Sequence, residues 1–370
     1  LLLDPYFSAT KFAWLLKNVP QAGELARAGR LALGTVDSFL LWRLTGGQVH
    51  ATDATNASRT MLFDIHRQCW CPDLCALFGI PIDTLPQVRD SAGLFGRTSP
   101  ELFGLPLPIA GIAGDQQAAL VGQGCFEPGH AKATYGTGCF TLVNTGTRAL
   151  QSGSRLLTTV AYRLNGKPVY ALEGSIFVAG AAIKWLRDGL GIITHASQTH
   201  DMATAVDCNG GIYLVPAFVG LGAPHWRADV RALITGMTLG TSAAHVARAA
   251  LESIAYQTHD LLAAMQMDGA ALTRLKIDGG MAANDWFCSF LASVLQKEVV
   301  RPAMLESTAR GAALLAGHGI GLWPDMAAAG TSGDQTRHFR STMGDDERKH
   351  LLQGWQSALQ QALMRPADHQ

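Results

Sequence analysis

Charge of a single sign is missing from this chain. Lys and Arg total 29 and Asp and Glu total 29, so the net formal charge is zero. The broad positive field that nucleic-acid binding requires is therefore absent, and no nucleic-acid partner is expected. Apolar residues make up 48% of the 370 residues, enough for a sizeable core in two domains of ordinary size. Yet no apolar run is both long enough and free enough of charge to span a bilayer. The opening LLLDP lacks the basic residues of a signal peptide. It also lacks a methionine, and the chain is expected to begin inside a longer protein.

Several familiar catalytic signatures are missing too. Gly166-Lys167 is followed by Pro168, so there is no G-x-x-x-x-G-K-[S/T] phosphate loop. Gly136-x-Gly138 is followed by Thr141 where G-x-G-x-x-G requires glycine. H-E-x-x-H and G-x-S-x-G are absent, which weakens zinc-protease and serine-hydrolase readings. Of the seven cysteines, Cys69, Cys71 and Cys75 cluster near His66. A zinc site is one reading, but the spacing is not C-x2-C and no second pair follows. Reduced thiols on a loop and helix are expected instead, which suits a reducing cytoplasm.

What is present alternates between strand-like and helix-like segments, the pattern of an α/β protein. A helix capped at Ser8 is expected over 8–18, a strand over 31–34, and a helix from about Asp37 to Leu44 stopped by Gly46-Gly47. A strand is expected over 106–113. Strands over 131–135 and 139–144 flank Gly136-Thr137-Gly138 as a hairpin, and two more follow at 156–162 and 168–172. The clearest helix runs over 241–267, with Leu251, Ile254, Leu261, Leu262 and Met265 at helical spacing and Thr241 or Ser242 as its cap. A short strand over 275–278 ends in Gly279-Gly280, and a helix starts at Asn284.

Three glycine-marked turns, at Gly114, at Gly136-Thr137-Gly138 and at Gly279-Gly280, each follow a strand candidate. Glycine admits close backbone approach, and consecutive N–H groups in such turns can cradle phosphate oxygens. The plainer reading is three tight turns. Asp115 follows the first, at the carboxyl edge of a sheet, where ligands bind in α/β folds. There a carboxylate can accept the proton of an attacking hydroxyl, late in the transfer because the alcohol is the weaker acid. The competing reading makes Asp115 a helix cap.

At these residues the chain resembles the FGGY family of carbohydrate kinases. YFSATKFAWLLKN at 6–18 fits the family's first signature, and ALITGM at 232–237 with HVARAALE at 245–252 fits the second. TNASRTMLF (55–63), GIAGDQQAAL (111–120), YGTGCF (135–140), VPAFVGLGAP (215–224) and DGG (278–280) extend the similarity from Leu3 to about Trp355. The resemblance implies an actin/hexokinase-like (ribonuclease H-like) two-domain α/β ATPase fold. Residues 1–122 would be the later portion of an incomplete first domain, and 123–370 the second, nucleotide-side domain with a helical tail.

The activity it implies is phosphorylation of glycerol by ATP with Mg²⁺. Asp115 would be the catalytic base with Gln116 beside it, Tyr6 would contact glycerol, and Phe140 would pack on its carbon chain. Thr137 would be a phosphate-loop contact to ATP, Gly180 another nucleotide contact, and Gly280 and Asn284 would lie on the adenosine side. For Tyr6 and Phe140 the plainer reading is core packing, and for Gly180 helix packing. A homo-oligomer is compatible with this reading. Lys184 stands where such kinases commonly carry glutamine, and His225 replaces an aromatic in GAP-x-W. ELFGLPLP at 101–108 lacks the glycine-rich, arginine-bearing loop that binds fructose bisphosphate in regulated relatives. The family's D-x-G-T turn and Arg-Glu polyol pair are expected upstream of Leu1, so residues 1–370 alone are expected to be inactive. The alternatives are another kinase of the family acting on a pentulose or sugar acid, against which Tyr6 and YGTGCF discriminate, and an inactive fragment acting as a binding protein.

Overall fold

The computed structural model describes residues 2–304, 306–331 and 336–364. The ends of the two expected domains, Leu1 and 365–370, lie outside the described residues. The early part is built of helices α1 (Ala9–Asn18), α2 (Val36–Leu44) and α3 (Ala54–Ala57). With them run the parallel pair β1 (Ala51–Asp53) and β2 (Gln87–Arg89), and the antiparallel pair β3 (Ala92–Arg97) and β4 (Pro108–Gly111). Helix α4 (Asp115–Gly122) follows.

The later part is organised on one seven-stranded mixed sheet. Its strands are β5 (His130–Tyr135), β6 (Cys139–Gly146), β7 (Leu157–Leu164), β8 (Lys167–Ile176), β9 (Arg274–Asp278), β10 (Val299–Arg301) and β11 (Arg337–Phe339), in the order β11-β10-β9-β5-β6-β8-β7. β9 runs parallel to β5 and β10, and β5, β6, β8 and β7 pair antiparallel in that spatial order, so β8 lies between β6 and β7. Helices α5 (Gly180–Asp188), α6 (Ala243–Met267), α7 (Asp285–Leu295), α8 (Ser307–Gly319) and α9 (Asp345–Leu363) complete the elements used below.

Side chains alternate across a strand, so the register divides this sheet into two unlike faces. Ala131, Ala133, Tyr135, Cys139, Val143 and Leu172 look to one side, where they share a core with Ile254 and Leu261 of α6 and Phe287 and Leu291 of α7. Helix α6 forms as its spacing predicts, and a reciprocal capping box between Ser242 and His245 starts it. On the other face Lys132 pairs with Leu142 and Leu142 with Glu173. One step along, Asp278 pairs with Thr134, Thr134 with Phe140, and Phe140 with Ser175. This second face is turned toward α4, whose Leu120 and Val121 pack with Leu142. Helix α8 lies against α4 so closely that a Cβ on Gly311 would sit 1.8 Å from the Ala118 carbonyl oxygen.

Three local expectations need correction. Ser8 precedes α1 but makes no side-chain cap bond, because its own backbone is already helical. Residues 31–34 form no strand: Leu33 N donates to Thr84 O at 2.8 Å and Leu33 O takes His50 Nε2 at 2.9 Å, isolated bonds rather than a ladder. The strand expected over 106–113 shrinks to Pro108–Gly111 because pairing with β3 ends there. Cys69, Cys71 and Cys75 are free thiols, on a strand, at a helix start and within that helix.

Candidate active site

Asp115 stands where β4 hands over to α4. Gly114, not Asp115, is the N-cap, and it offers no side chain. Asp115 is exposed; its Oδ1 accepts from Gln116 N at 2.7 Å and its Oδ2 from Gln116 Nε2 at 3.1 Å. The carboxylate thus sits in the first helical turn, where the macrodipole favours it, without capping the deeper N–H groups. The approach to it is anchored from below. Gly114 N donates to Thr55 Oγ1 at 2.8 Å, and Thr55 Oγ1 donates in turn to Asp53 at 2.8 Å. Asp53 is fully buried and also accepts from Thr55 N, Asn56 N, Asn56 Nδ2 and Ser91 Oγ. Burial raises its pKa, and these hydrogen bonds oppose the rise.

The polar sheet face carries the neighbouring groups. Lys132 Nζ donates to Gln116 Oε1 and, at 3.1 Å, to Thr134 Oγ1. Phe140, half-buried at the start of β6, lies one register step away on that face. Further across, Glu173 Oε1 binds Arg59 Nη2 at 2.8 Å, and the Arg59 guanidinium lies 4.8 Å from the centre of the Tyr6 ring. Tyr6 is 47% exposed, so it is not a core aromatic. Glu173 Oε2 is buried and without a hydrogen-bond partner. Tyr6 thus stands with Arg59 and Glu173, and Asp115 and Gln116 with Lys132, about the face of the sheet that also carries Phe140 and, between Glu173 and Lys132, Leu142.

The nucleotide-side residues gather at the strand ends. A cleft of about 720 Å³ is lined by Gly136, Gly180, Gly280 and Asn284, with Lys184 and Arg187 as cations and Ile183, Leu251 and Met281 as apolar wall. The hairpin turn docks on the start of α5: Gly180 N donates to Gly136 O at 3.0 Å, and Ala179 N and Ala181 N donate to Thr137 O at 2.9 and 3.0 Å. A Cβ on Gly180 would lie 2.5 Å from Gly136 O, so only glycine fits this approach. Gly279 adopts φ +86°, and a Cβ there would strike the Tyr135 carbonyl at 2.4 Å. Asn284 caps α7 by accepting from Phe287 N at 3.1 Å, and its Nδ2 donates to Thr199 Oγ1 at 3.1 Å. Thr137 is exposed in the same turn but does not line the cleft. A roomy, partly apolar cleft edged by glycine backbone, with two cations and the carboxylates Asp201 and Asp285 on its lining, suits a nucleotide.

Sequence reasoning missed Asp53, Arg59, Lys132 and Glu173. Asp53 and Arg59 lie in or beside TNASRTMLF, a stretch given no role, and Lys132 precedes the hairpin turn by four residues. A charged residue inside an otherwise apolar strand was the available signal.

An exposed carboxylate beside one face of a mixed sheet, with glycine turns at the strand ends, suits a phosphotransferase of the sugar-kinase type. The model of the FGGY family of carbohydrate kinases, N-terminal domain, matches residues 1–122, and that of the C-terminal domain matches 131–320. The chain belongs to the FGGY family of carbohydrate kinases, with its actin/hexokinase-like two-domain fold. It is 59% identical over 364 residues to a glycerol kinase of Gluconobacter oxydans, covering 98% of this chain and 71% of that protein. Plasmodium falciparum glycerol kinase, solved with ADP, superposes with a TM-score of 0.93 at 37% identity, over 98% of this chain and 73% of that one. A xylulose kinase from Rhodospirillum rubrum shares the fold, with TM-score 0.83 and 24% identity over 97% of this chain and 72% of that one.

Proposed function

We infer that this chain transfers the terminal phosphoryl group of ATP to glycerol, giving glycerol 3-phosphate. The observation that carries the reading is the 59% identity to a glycerol kinase across nearly the whole chain, set against 24% for the xylulose kinase of the same fold. The local geometry supports it, because the polar face offers one exposed carboxylate and two aromatic rings to a small polyol.

In this reading Asp115 accepts the proton of the attacking hydroxyl as charge develops on that oxygen. Gln116 borders the polyol, Tyr6 contacts it and Phe140 packs on its carbon chain. Thr137 and Gly180 meet the phosphates from the hairpin turn and the start of α5, while Gly280 and Asn284 border the adenosine. Lys184, exposed on the cleft wall, supplies a cation where such kinases commonly carry glutamine. Mg²⁺ bound with the nucleotide would neutralise charge on the phosphate oxygens. Asp278 fits as its protein ligand, since Asp278 Oδ1 is buried without a hydrogen-bond partner on the polar face. The division of the chain near residues 122 and 123 belongs to the same reading. So does a cytoplasmic setting, which the free cysteines suit. Among the described residues no helix is long and apolar enough to cross a membrane.

The test is ADP release by the complete gene product with glycerol, xylulose or gluconate as acceptor. Glycerol is expected to give the highest kcat/KM. Preference for the pentulose or the sugar acid would support the other kinase reading, and no acceptor-dependent ADP would support a binding protein.

A further inference from the structure

Lys132 is a charged group on the polar face that the proposed chemistry leaves unused, and it is bonded directly to Gln116. It lies in the middle of β5, its side chain is 0% exposed, and its two hydrogen-bond partners, Gln116 and Thr134, are both neutral. Burial lowers its pKa, and the charges of Asp278, Cys139, Glu173 and Asp115 act in the opposite sense. An ammonium buried against uncharged partners is a poor device for stability, since an apolar side chain of similar size avoids the desolvation cost.

The geometry gives it another use. A lysine ammonium can only donate hydrogen bonds, and a carboxylate can only accept them. Gln116 lies between the two, with Oε1 on Lys132 and Nε2 on Asp115 Oδ2 at 3.1 Å. Lys132 therefore dictates which way the Gln116 amide faces. With the amide reversed, its carbonyl oxygen would confront the carboxylate. We propose that Lys132 is a positioning residue that locks the Gln116 amide, and through it aims the Asp115 carboxylate at the acceptor hydroxyl. Thr134 holds the ammonium from its own strand, and the chain of donors runs in one direction, from Lys132 to Gln116 to Asp115.

The inference rests on the glycerol-phosphorylation reading for its kinetic test, and a structural test stands apart from it. In the complete gene product, Lys132→Met is expected to lower kcat roughly ten- to a hundredfold, within the range of general-base effects. KM for ATP should stay within about twofold, and Tm should be unchanged or higher because an apolar isostere replaces a buried charge. Gln116→Leu should be slowed comparably, and the double variant should be no slower than Gln116→Leu alone, since the lysine acts through that amide. If Lys132→Met does not fold, Lys132→Gln, which retains a donor, should fold and lose kcat several-fold with the same ATP KM. Wild-type kcat in either variant, or multiplicative losses in the double variant, would overturn the proposal. Crystal structures of wild type and Lys132→Met give the second readout. The Gln116 Nε2 to Asp115 Oδ2 contact should be lost in the variant, and its retention would overturn the proposal whatever the acceptor proves to be. A wild type inactive on glycerol would instead remove the functional reading, and the crystallographic comparison would still decide the role of Lys132.

Discussion

The two faces of the seven-stranded sheet are made from alternate residues of the same strands, yet they do different work. One face, with Tyr135, Cys139, Val143 and Leu172, is apolar and closed by α6 and α7. The other holds Lys132, Glu173 and Asp278, all buried, beside the exposed Asp115. The apolar face can lose contacts only at the expense of stability. The polar face carries desolvated charge that contributes little to stability and serves orientation. Substitutions should therefore separate into those that unfold the protein and those that silence it.

The sharpest separation is expected at Asp115. Asp115→Asn removes the proton acceptor while leaving the short bond from Gln116 N a partner, and kcat should fall roughly 10²–10⁴-fold with Tm nearly unchanged. Steady-state kinetics at saturating glycerol check this, and near-normal turnover would reduce Asp115 to a helix-turn carboxylate. On the opposite face, Phe287 is fully buried with its ring centre 5.1 Å from that of Tyr135. Phe287→Ala should cost about 3–5 kcal/mol of stability, read from urea unfolding, while the residual folded fraction keeps its KM for glycerol.

The nucleotide end offers a test between these extremes. A methyl group on Gly180 would press on Gly136 O, so Gly180→Ala must displace the hairpin turn. Overpacking of this kind costs roughly 1–3 kcal/mol, and we expect ADP affinity to weaken by about tenfold or more with little change at the acceptor side. Calorimetry with ADP reads it directly.

The smallest effect concerns alkaline pH. Burial pushes the Cys139 and Cys288 thiols of the apolar core up to about 12, from an ordinary value near 9.0. The unfolded chain then loses these protons first. Their contribution to stability is intact below about pH 9 and is lost as pH climbs toward 12, by about 1.4 kcal/mol per pH unit for each thiol. Cys139→Ala should make the fall in urea midpoint between pH 9 and 11 shallower than in wild type.

The same division explains what could be read in the sequence. The apolar face was legible, because β5, β6, β8 and α6 announce themselves by local periodicity, and Ser242 caps α6 as its type suggests. The glycine turns at 136–138 and 279–280 were legible for a related reason: close backbone approach leaves a mark in the residue type itself. The polar network was not. Arg59 and Glu173 lie 114 positions apart, and Lys132 and Gln116 lie 16 apart on different elements, so no periodicity links them. The false strand at 31–34 has the same origin, since apolar composition describes an extended segment without saying whether a partner strand lies beside it.

The central claim is that proton acceptance on the polar face is separate from the grip on the nucleotide at the strand ends. Titration of ADP into wild type and Asp115→Asn by calorimetry tests it most directly. The account predicts dissociation constants within about twofold of each other in proteins whose turnover differs by orders of magnitude. A loss of ADP affinity of about tenfold or more in Asp115→Asn would contradict it, by placing the carboxylate within the nucleotide site.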